Sequence, residues 1–182
     1  MPEAEAMIKR AVELDPRNPL AQSQYGIYLL LADKFPDAVT QFKGMIDNNT
    51  GVDEARLGLW TAYHHLERYD EAYEQLKKEF EEVPALKELL ELGYRQNGYK
   101  GAMLRMAEML SDPKAAPGYI LPTNIAKFYV YAGEKDKALE FLEKGHTDHD
   151  SGLVTIQVDP DWKTLRNEPR FQAIVKDMGF PN

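Results

Sequence analysis

Four histidines are the side chains of this sequence best suited to metal binding or acid–base chemistry. Two of them, His146 and His149, stand with Asp148 and Asp150 inside five residues, and imidazole and carboxylate groups are both ligands of divalent transition metals. The same segment follows a predicted helix and has glycines on both sides, which is typical of a solvated loop. One short loop rarely closes a four-ligand site, so we predict that no metal binds here.

The other two histidines, His64 and His65, are neighbours on a predicted helix. Adjacent helical side chains point about 100° apart, so these two imidazoles cannot easily bind one ion. The sequence has no cysteine, no glycine-rich phosphate loop and no Gly-x-Ser-x-Gly turn, which are the usual parts of nucleophilic and phosphoryl chemistry. We therefore predict no enzyme activity and no cofactor, and we interpret His64 and His65 as surface or groove residues.

Composition limits the class of partner and the compartment. The 182 residues include 22 Lys or Arg and 30 Asp or Glu, a formal charge of −8, which argues against direct binding of nucleic acid through its phosphates. The lack of cysteine excludes a disulfide framework, and the sequence has neither a signal peptide nor an apolar run of about 18 residues. These features predict a cytoplasmic protein that does not enter a membrane unaided.

The elements that position these side chains follow a period of 34 residues. Three alanines recur at this interval, and each is followed four residues later by a larger apolar residue. The alanines are Ala4, Ala38 and Ala72, and the larger residues are Ile8, Phe42 and Leu76. A fixed period of this size is the sequence mark of a repeat architecture.

Each repeat is predicted to be a pair of helices, because apolar residues recur at helical spacing before and after each turn. The first helices are predicted at 20–32 and 52–66, where Gly26 and Trp60 stand twelve residues before the alanines. The second helices are predicted at 4–14, 37–46 and 70–80, and the turns at 33–36 and 67–70. Pro16 and Pro84 end two of the units, because proline lacks the N–H donor and crowds the preceding turn.

Residues 4–16 carry the pattern most completely, with Ala4, Ile8 and Ala11 followed by Pro16. With this segment and the 34-residue period, the sequence resembles the tetratricopeptide repeat (TPR). The pattern of that family is a small residue in the first helix, then alanine, a bulky apolar residue and proline. The resemblance implies an all-α fold, a right-handed TPR-type α-solenoid of helix-turn-helix units whose first helices line a concave groove. In physical terms, a small residue lets two helices approach and the bulky one fills the space beside it.

Two further units fit the pattern less closely. Ala102 with Met106 repeats the alanine pair 30 residues after Ala72, with a predicted turn at 97–100. Ala138 with Leu142 repeats it again, with a predicted turn at 133–136. The predicted organisation is a partial first unit at 1–16, units at about 19–50, 53–84, 85–112 and 119–147, and a capping module at 148–182.

The C-terminal residues leave the repeat pattern. Asp159 and Asn167 are predicted helix N-caps close before prolines, and Gly179 suits the left-handed position that ends a helix. Residues 153–158 alternate in polarity like a short strand, but a lone strand has nothing to pair with. We therefore favour a short helix or an extended connector there.

The tail also resembles a closing module of bacterial multi-repeat regulators, through its acidic-Pro pair, Trp162 and the Pro-Arg-Phe sequence that ends at Phe171. In those proteins the repeats often follow a winged-helix, cyclase or kinase domain. The resemblance implies the C-terminal part of a larger bacterial regulator. The unit at 1–16 has only a second helix, so we expect a fragment of a longer protein or a cover over Ile8, Val12 and Leu20.

A groove on the first helices is the predicted partner site. The residues predicted to bind a protein or peptide there are Thr61, His64, His65, Tyr94, Arg95, Lys127 and Tyr131. Some TPR proteins grip a chaperone carboxylate with lysines and asparagines, but Ser23 and Ile27 stand where that clamp would begin, which predicts against it. Apolar anchors with some acidic residues are the expected ligand chemistry.

Two functions remain open from the sequence. The first is a non-catalytic scaffold that binds a peptide or protein in its groove. The alternative is a sensing or self-associating regulatory domain that controls an attached effector. The C-terminal helices could also fill the groove, although covering the last repeat is the favoured arrangement, because a terminal apolar face needs a cover in either case.

Overall fold

The computed structural model describes residues 2–116 and 118–180, and every regular element in these two stretches is helical. The predicted all-α class is therefore confirmed. The chain divides into two compact units between Val83 and Pro84, called unit 1 and unit 2 below. Among the described residues, no helix combines the length and apolar character needed to cross a bilayer.

Unit 1 contains five helices that pack in chain order. They are α1 (Pro2–Leu14), α2 (Pro19–Leu31), α3 (Phe35–Asp47), α4 (Val52–His65) and α5 (Tyr69–Glu79). Each helix packs on the next, and α2 also packs on α4. These bounds lie within two residues of the predicted ones, because helical periodicity and turn residues are both local signals.

The turns after α2 and α4 have the same geometry. The N–H groups of Lys34 and Arg68 each donate to the carbonyl five residues earlier, at 2.8 and 2.9 Å. Asp33 and Glu67, which precede them, both have a φ of 57°. This is the Schellman ending of a helix, in which a left-handed residue reverses the chain. Asp33 and Glu67 are 34 residues apart, so the turn recurs with the sequence period.

Phe42 on α3 is enclosed by glycines from two other helices. A Cβ atom added at Gly26 on α2 would lie 2.4 Å from the phenyl ring, and one added at Gly58 on α4 would lie 2.3 Å from it. Phe42 itself is 1% exposed. The bulky residue of a second helix therefore packs against the first helix of its own pair and against that of the next. In α4 the small residue of this contact is Gly58, two positions before Trp60.

Unit 2 begins with α6 (Pro84–Ser111), which is interrupted at Asn97 and Gly98 by backbone angles outside the helical region. The break falls in the predicted turn at 97–100. A Cβ atom added at Gly93 would lie 2.4 Å from the carbonyl oxygen of Gly101. Residues eight apart in a continuous helix are about 12 Å apart along its axis, so the two halves of α6 fold back on each other.

The second helical pair of unit 2 is α7 (Pro122–Ala132) and α8 (Lys135–Thr147). Its turn repeats the Schellman ending, with Gly133 at a φ of 92° and the N–H of Glu134 donating to the carbonyl of Tyr129 at 2.9 Å. The second half of α6 precedes this pair, and α6 packs on α7. The same helical hairpin is thus found in both units.

The C-terminal segment of unit 2 packs on this last pair. It contains two 3₁₀ turns, η1 (Ser151–Thr155) and η2 (Pro160–Trp162), and a final helix, α9 (Pro169–Asp177). Both turns contact α7, η1 also contacts α8, and α9 packs on α8. The predicted strand-like pattern at 153–158 begins within η1, so the alternative of a short helix is the better description.

The predicted caps of this segment are confirmed in two cases and wrong in one. The Asp159 carboxylate accepts the N–H of Asp161 at 3.0 Å, and Gly179 has a φ of 64°. The third prediction, Asn167, is wrong, because the N-cap of α9 is Glu168 and its side chain makes no capping bond. Pro169 at the first helical position fixes the start of α9 in place of a side-chain cap.

Candidate functional site

His64 and His65 lie half-buried at the end of α4, in an aromatic cluster. The His65 ring stacks on Phe35 at the start of α3, with centroids 4.7 Å apart and planes 15° apart. The His64 ring meets His65 edge-on at 5.2 Å and Tyr69, at the start of α5, at 5.8 Å. Such contacts add to the energy of burial. The two imidazoles therefore hold the ends of three helices together, and part of each ring stays exposed.

Thr61 is the third residue of unit 1 that the sequence predicted to face a partner. Its side chain is 5% exposed, and its hydroxyl donates to the carbonyl of Leu57 at 3.1 Å. A hydroxyl bonded back into its own helix has no need of another acceptor. Thr61 therefore presents almost no surface to a partner in this structure.

Two large apolar side chains reach solvent on the first helices of unit 1. Ile27 on α2 is 42% exposed and Leu57 on α4 is 41% exposed. Because α2 and α4 pack on each other, these side chains belong to neighbouring helices. Ser23 and Leu30, also on α2, are less than 10% exposed and belong to the core.

A polar cluster fixes α1 on α2. The Glu5 carboxylate accepts the Tyr28 hydroxyl at 2.9 Å and forms ion pairs with Lys9 at 2.9 Å and Lys34 at 3.0 Å. Hydrogen bonds from Lys9, Lys34 and Tyr28, in that order of size, lower the pKa of Glu5 to about 2. The carboxylate is therefore ionised at any physiological pH.

Apolar side chains are exposed on the other side of α1 and at the start of α2, but of the three residues expected there only Leu20 is largely exposed. Met7 and Leu14 are each 70% exposed, and Leu20 at the start of α2 is 68% exposed. Ile8 and Val12, which were also expected on this face, are half-buried. Fully exposed large apolar residues on one helix are unusual enough to suggest a contact surface.

Tyr94 and Arg95 lie in the first half of α6. Tyr94 is half-buried, whereas the Arg95 side chain is 64% exposed and its guanidinium lies 3.9 Å from the Glu91 carboxylate, one turn earlier. An exposed pair of this kind contributes only about 0.3–0.5 kcal/mol. Arg95 can therefore turn toward an acidic partner at little cost.

Lys127 and Tyr131 on α7 bind the C-terminal segment. The Asp161 carboxylate, on η2, lies 2.8 Å from the Lys127 ammonium and accepts the Tyr131 hydroxyl at 2.5 Å. Asp161 is 5% exposed and Tyr131 is 2% exposed. Burial first, and the Asp161 charge second, raise the pKa of the Tyr131 hydroxyl well above its usual range. All three groups are therefore part of an internal hydrogen-bond network.

This network corrects the reason for choosing Lys127 and Tyr131. We expected polar and amphipathic side chains of the first helices to gain little from internal packing and so to remain available to a partner. The carboxylate of Asp161 gives both side chains a charged partner inside unit 2, and burial strengthens that interaction. In this structure their contact is with residues of the same chain.

The residues around His146 and His149 do not come together as ligands. The His146 Nε2 atom lies 2.7 Å from the Asp177 carboxylate on α9. The Asp150 carboxylate is turned the other way, where it accepts the N–H and the hydroxyl of Thr123, each at 2.8 Å. Among the described residues, no group of three His, Asp or Glu side chains is arranged to hold a metal ion.

A cleft of about 560 Å³ opens in unit 1 between α2, α3 and the loop that precedes α2. Its walls include Gln22 and Tyr25 on α2, Gln41 on α3, and Asn48, which caps the end of α3. None of these residues was predicted as a contact from the sequence: Gln22 and Tyr25 were not among the groove residues expected on the first helices, and Gln41 and Asn48 lie outside those helices. An amide-rich stripe along the second helix was the signal that could have found them.

Comparison with family models, with curated proteins and with solved structures gives no match to this chain. The function is therefore inferred from the contacts of the chain itself.

Proposed function

We propose that this chain is a protein-interaction module of TPR type, which binds a peptide or protein partner and catalyses no reaction. The observation that carries the proposal is the recurrence of one helical hairpin with one turn geometry. The Schellman endings at Asp33, Glu67 and Gly133 support it, as does the packing of Phe42 against Gly26 and Gly58. A repeat of this kind presents many side chains of equivalent position on one surface, which suits recognition of an extended or helical peptide.

The side chains we propose for the contact in unit 1 are Ile27, Leu57 and the exposed parts of His64 and His65. Ile27 and Leu57 are large and about two-fifths exposed, so they can gain free energy by burial against a partner. In unit 2, Arg95 remains a candidate for an acidic residue of the ligand. We give Lys127, Tyr131 and Thr61 a structural role in place of a direct one.

The test is a selection from a random peptide library displayed on phage, followed by affinity measurement of the enriched peptides. We expect peptides with apolar anchors, and binding at least about ten-fold weaker for Leu57→Glu and Ile27→Glu, because a charge then faces each anchor. Val154→Glu is the matched control, since Val154 is 68% exposed and lies in unit 2. Equal binding by all variants, or no enriched peptide, would contradict the proposal.

A second candidate, a self-associating regulatory domain, is favoured by the exposed apolar side chains of Met7, Leu14 and Leu20. Sedimentation equilibrium distinguishes the two. Self-association that is lost in the Met7→Glu, Leu14→Glu double variant would support the regulatory domain. A protein that stays monomeric at high concentration would exclude the self-associating domain.

A further inference from the structure

Three amide side chains of the cleft in unit 1 donate hydrogen bonds within the protein. Gln22 donates through Nε2 to the carbonyl of Pro16 at 2.9 Å, and Gln41 donates through Nε2 to the carbonyl of Gln22 at 3.1 Å. Asn48 donates through Nδ2 to the carbonyl of Gly44 at 2.7 Å. A backbone carbonyl can only accept, so each amide nitrogen must face it and the orientation of all three amides is fixed.

The two threonine hydroxyls in the cleft are used in the same way. Thr40 donates to the carbonyl of Pro36 at 3.1 Å, and Thr50 donates to the carbonyl of Asn48 at 3.3 Å. The groups that remain are several acceptors and the Tyr25 hydroxyl, which can donate or accept. Within the described residues, no donor reaches the carboxylate of Asp37, Oε1 of Gln41 or Oδ1 of Asn48, whereas Oε1 of Gln22 already accepts Gln41. N–H or O–H donors of a ligand can therefore pair with the free oxygens of Asp37, Gln41 and Asn48.

The cleft is elongated and has an apolar floor. The residues that line it on α3 run from Asp37 to Asn48, eleven positions along one face of the helix, or roughly 16 Å at 1.5 Å per residue. Leu29 and Met45 lie between these ends and are each 2% exposed, so they form a floor rather than a protrusion. A volume of about 560 Å³ is within the usual range for ligand sites.

The charge around the cleft favours a cation. Residues 1–83 include nine Lys or Arg and sixteen Asp or Glu, a formal charge of −7 out of −8 for the whole chain. Asp37 is the charged residue of the lining. The nearest cation of α1, Lys9, lies 6.0 Å from the centre of the Tyr25 ring, and its charge is compensated by Glu5 at 2.9 Å.

We infer that this cleft binds an elongated organic cation, an alkyl chain that carries ammonium groups with N–H donors. An ammonium group would pair with Asp37, the alkyl chain would lie on Leu29 and Met45, and further N–H groups would donate to the Gln41 and Asn48 oxygens. The same chemistry is offered by a polyamine and by a lysine side chain in an extended peptide. This site is independent of the surface proposed above, because Gln22, Tyr25 and Leu29 lie on a different face of α2 from Ile27.

The experiment is a titration of the ¹⁵N-labelled full chain followed by backbone amide shifts. The probes are spermidine, the peptide acetyl-Gly-Lys-Gly-amide, and its neutral norleucine counterpart acetyl-Gly-Nle-Gly-amide. We expect saturable shifts at Gly44, Asn48 and Thr50 with both cations and none with the norleucine peptide. The cation that binds more tightly identifies the source of the ligand. Shifts spread over the acidic surface, equal shifts with the norleucine peptide, or no shifts at these residues would overturn the inference.

Three variants make the result specific. Asp37→Asn should weaken both cations at least about five-fold, whereas Asp47→Asn, an equal charge change outside the lining on the same helix, should stay within about two-fold. Gly44→Leu should abolish binding, because Gly44 lines the cleft and a Cβ there meets no atom within 4 Å, so the larger side chain can extend into the cleft. Unchanged binding by a correctly folded Gly44→Leu variant would place the cation elsewhere and overturn the proposal.

Discussion

At the scale of single residues, glycines in this protein have opposite roles on neighbouring helices. Gly58 on α4 touches the Phe42 ring, which is held on its other side by Gly26, so the ring has no room to move away. Gly44, in the middle of α3, has nothing within 4 Å of an added Cβ atom. Helix propensity alone gives the two positions the same preference for alanine.

The structure therefore predicts opposite signs for two identical substitutions. Gly58→Ala should lower the free energy of unfolding by about 1–3 kcal/mol, because the added methyl group overpacks the core. Gly44→Ala should raise it by about 0.5–1 kcal/mol, because helix propensity is then the only change. Urea unfolding followed by circular dichroism measures both. Partial recovery in a Gly58→Ala, Phe42→Leu double variant would identify the ring as the cause, and a stabilising Gly58→Ala would refute this packing.

At Gly98, the backbone conformation disfavours any residue with a side chain, although the surrounding space is open. Its φ of 57° and ψ of −149° lie in a region that is essentially restricted to glycine, and an added Cβ atom meets nothing within 4 Å. Gly98→Ala should therefore cost about 1–3 kcal/mol of unfolding free energy from conformational strain alone. Gly118→Ala, in an exposed loop with open space around it, is the control and should change stability by less than about 0.5 kcal/mol.

At the scale of elements, the attachment of α1 to α2 depends on one carboxylate. The folded pKa of Glu5 is about 2, below the ordinary value of 4.5, so its contribution to stability is complete above about pH 4.5. That contribution is lost as the pH falls toward 2, because the protonated acid gives up its pairing with Lys9 and Lys34.

Hydrogen exchange of the α1 amides, compared between the parent and Glu5→Gln at each pH, tests this attachment. The parent should be better protected at pH 6, and the ratio of the two should fall toward one between pH 4.5 and 2. Intrinsic exchange rates cancel in the ratio. Glu3→Gln, at an exposed position of the same helix, should match the parent throughout. A ratio that does not change with pH would exclude the ionised Glu5 as the link.

Also at this scale, the sequence predicted the bounds of the helices more accurately than the contacts that their side chains make. Helices α2 to α5 begin and end close to the predicted positions because their signals, apolar spacing and turn residues, come from the segments themselves. The break at Asn97 and Gly98 was predicted for the same reason. The start of α9 was misplaced by one residue, since Asn167 and Glu168 both precede a proline-led helix and only the backbone path distinguishes them.

At the scale of the whole molecule, the two units differ in charge. Unit 1 carries −7 and residues 84–182, with thirteen Lys or Arg and fourteen Asp or Glu, carry −1. The overall charge of −8 does not show this difference between the units. A cationic ligand is therefore expected to associate first with unit 1, and this attraction should weaken as salt is added.

Each unit also contains one tryptophan, Trp60 in unit 1 and Trp162 in unit 2, both less than 5% exposed. In a Trp60→Phe background, fluorescence of Trp162 reports the docking of the C-terminal segment. Asp161→Ala should then lower the unfolding free energy by about 3 kcal/mol, because it leaves Lys127 and Tyr131 without their internal partner. Asp148→Ala, at an exposed site, should change it by less than about 0.5 kcal/mol. Equal effects of the two variants would mean that the Asp161 network does not hold the segment.

The sequence by itself determined the helical class, the paired helices and most of the turns. These follow from local preferences, such as apolar spacing, proline and left-handed positions, which each segment expresses wherever it is placed. Asp33 and Glu67, which both have a φ of 57°, lie in the turns that the sequence predicted at 33–36 and 67–70.

Only the tertiary structure decided what the candidate side chains contact. Lys127 and Tyr131 are residue types that are common on binding surfaces. In the structure, however, both side chains contact Asp161, which lies thirty residues beyond Tyr131. The cleft likewise depends on backbone carbonyls that fix the amides of Gln41 and Asn48 and leave their side-chain oxygens as acceptors. Burial and hydrogen bonding between distant segments set the availability of a polar group, and local sequence preferences do not contain that information.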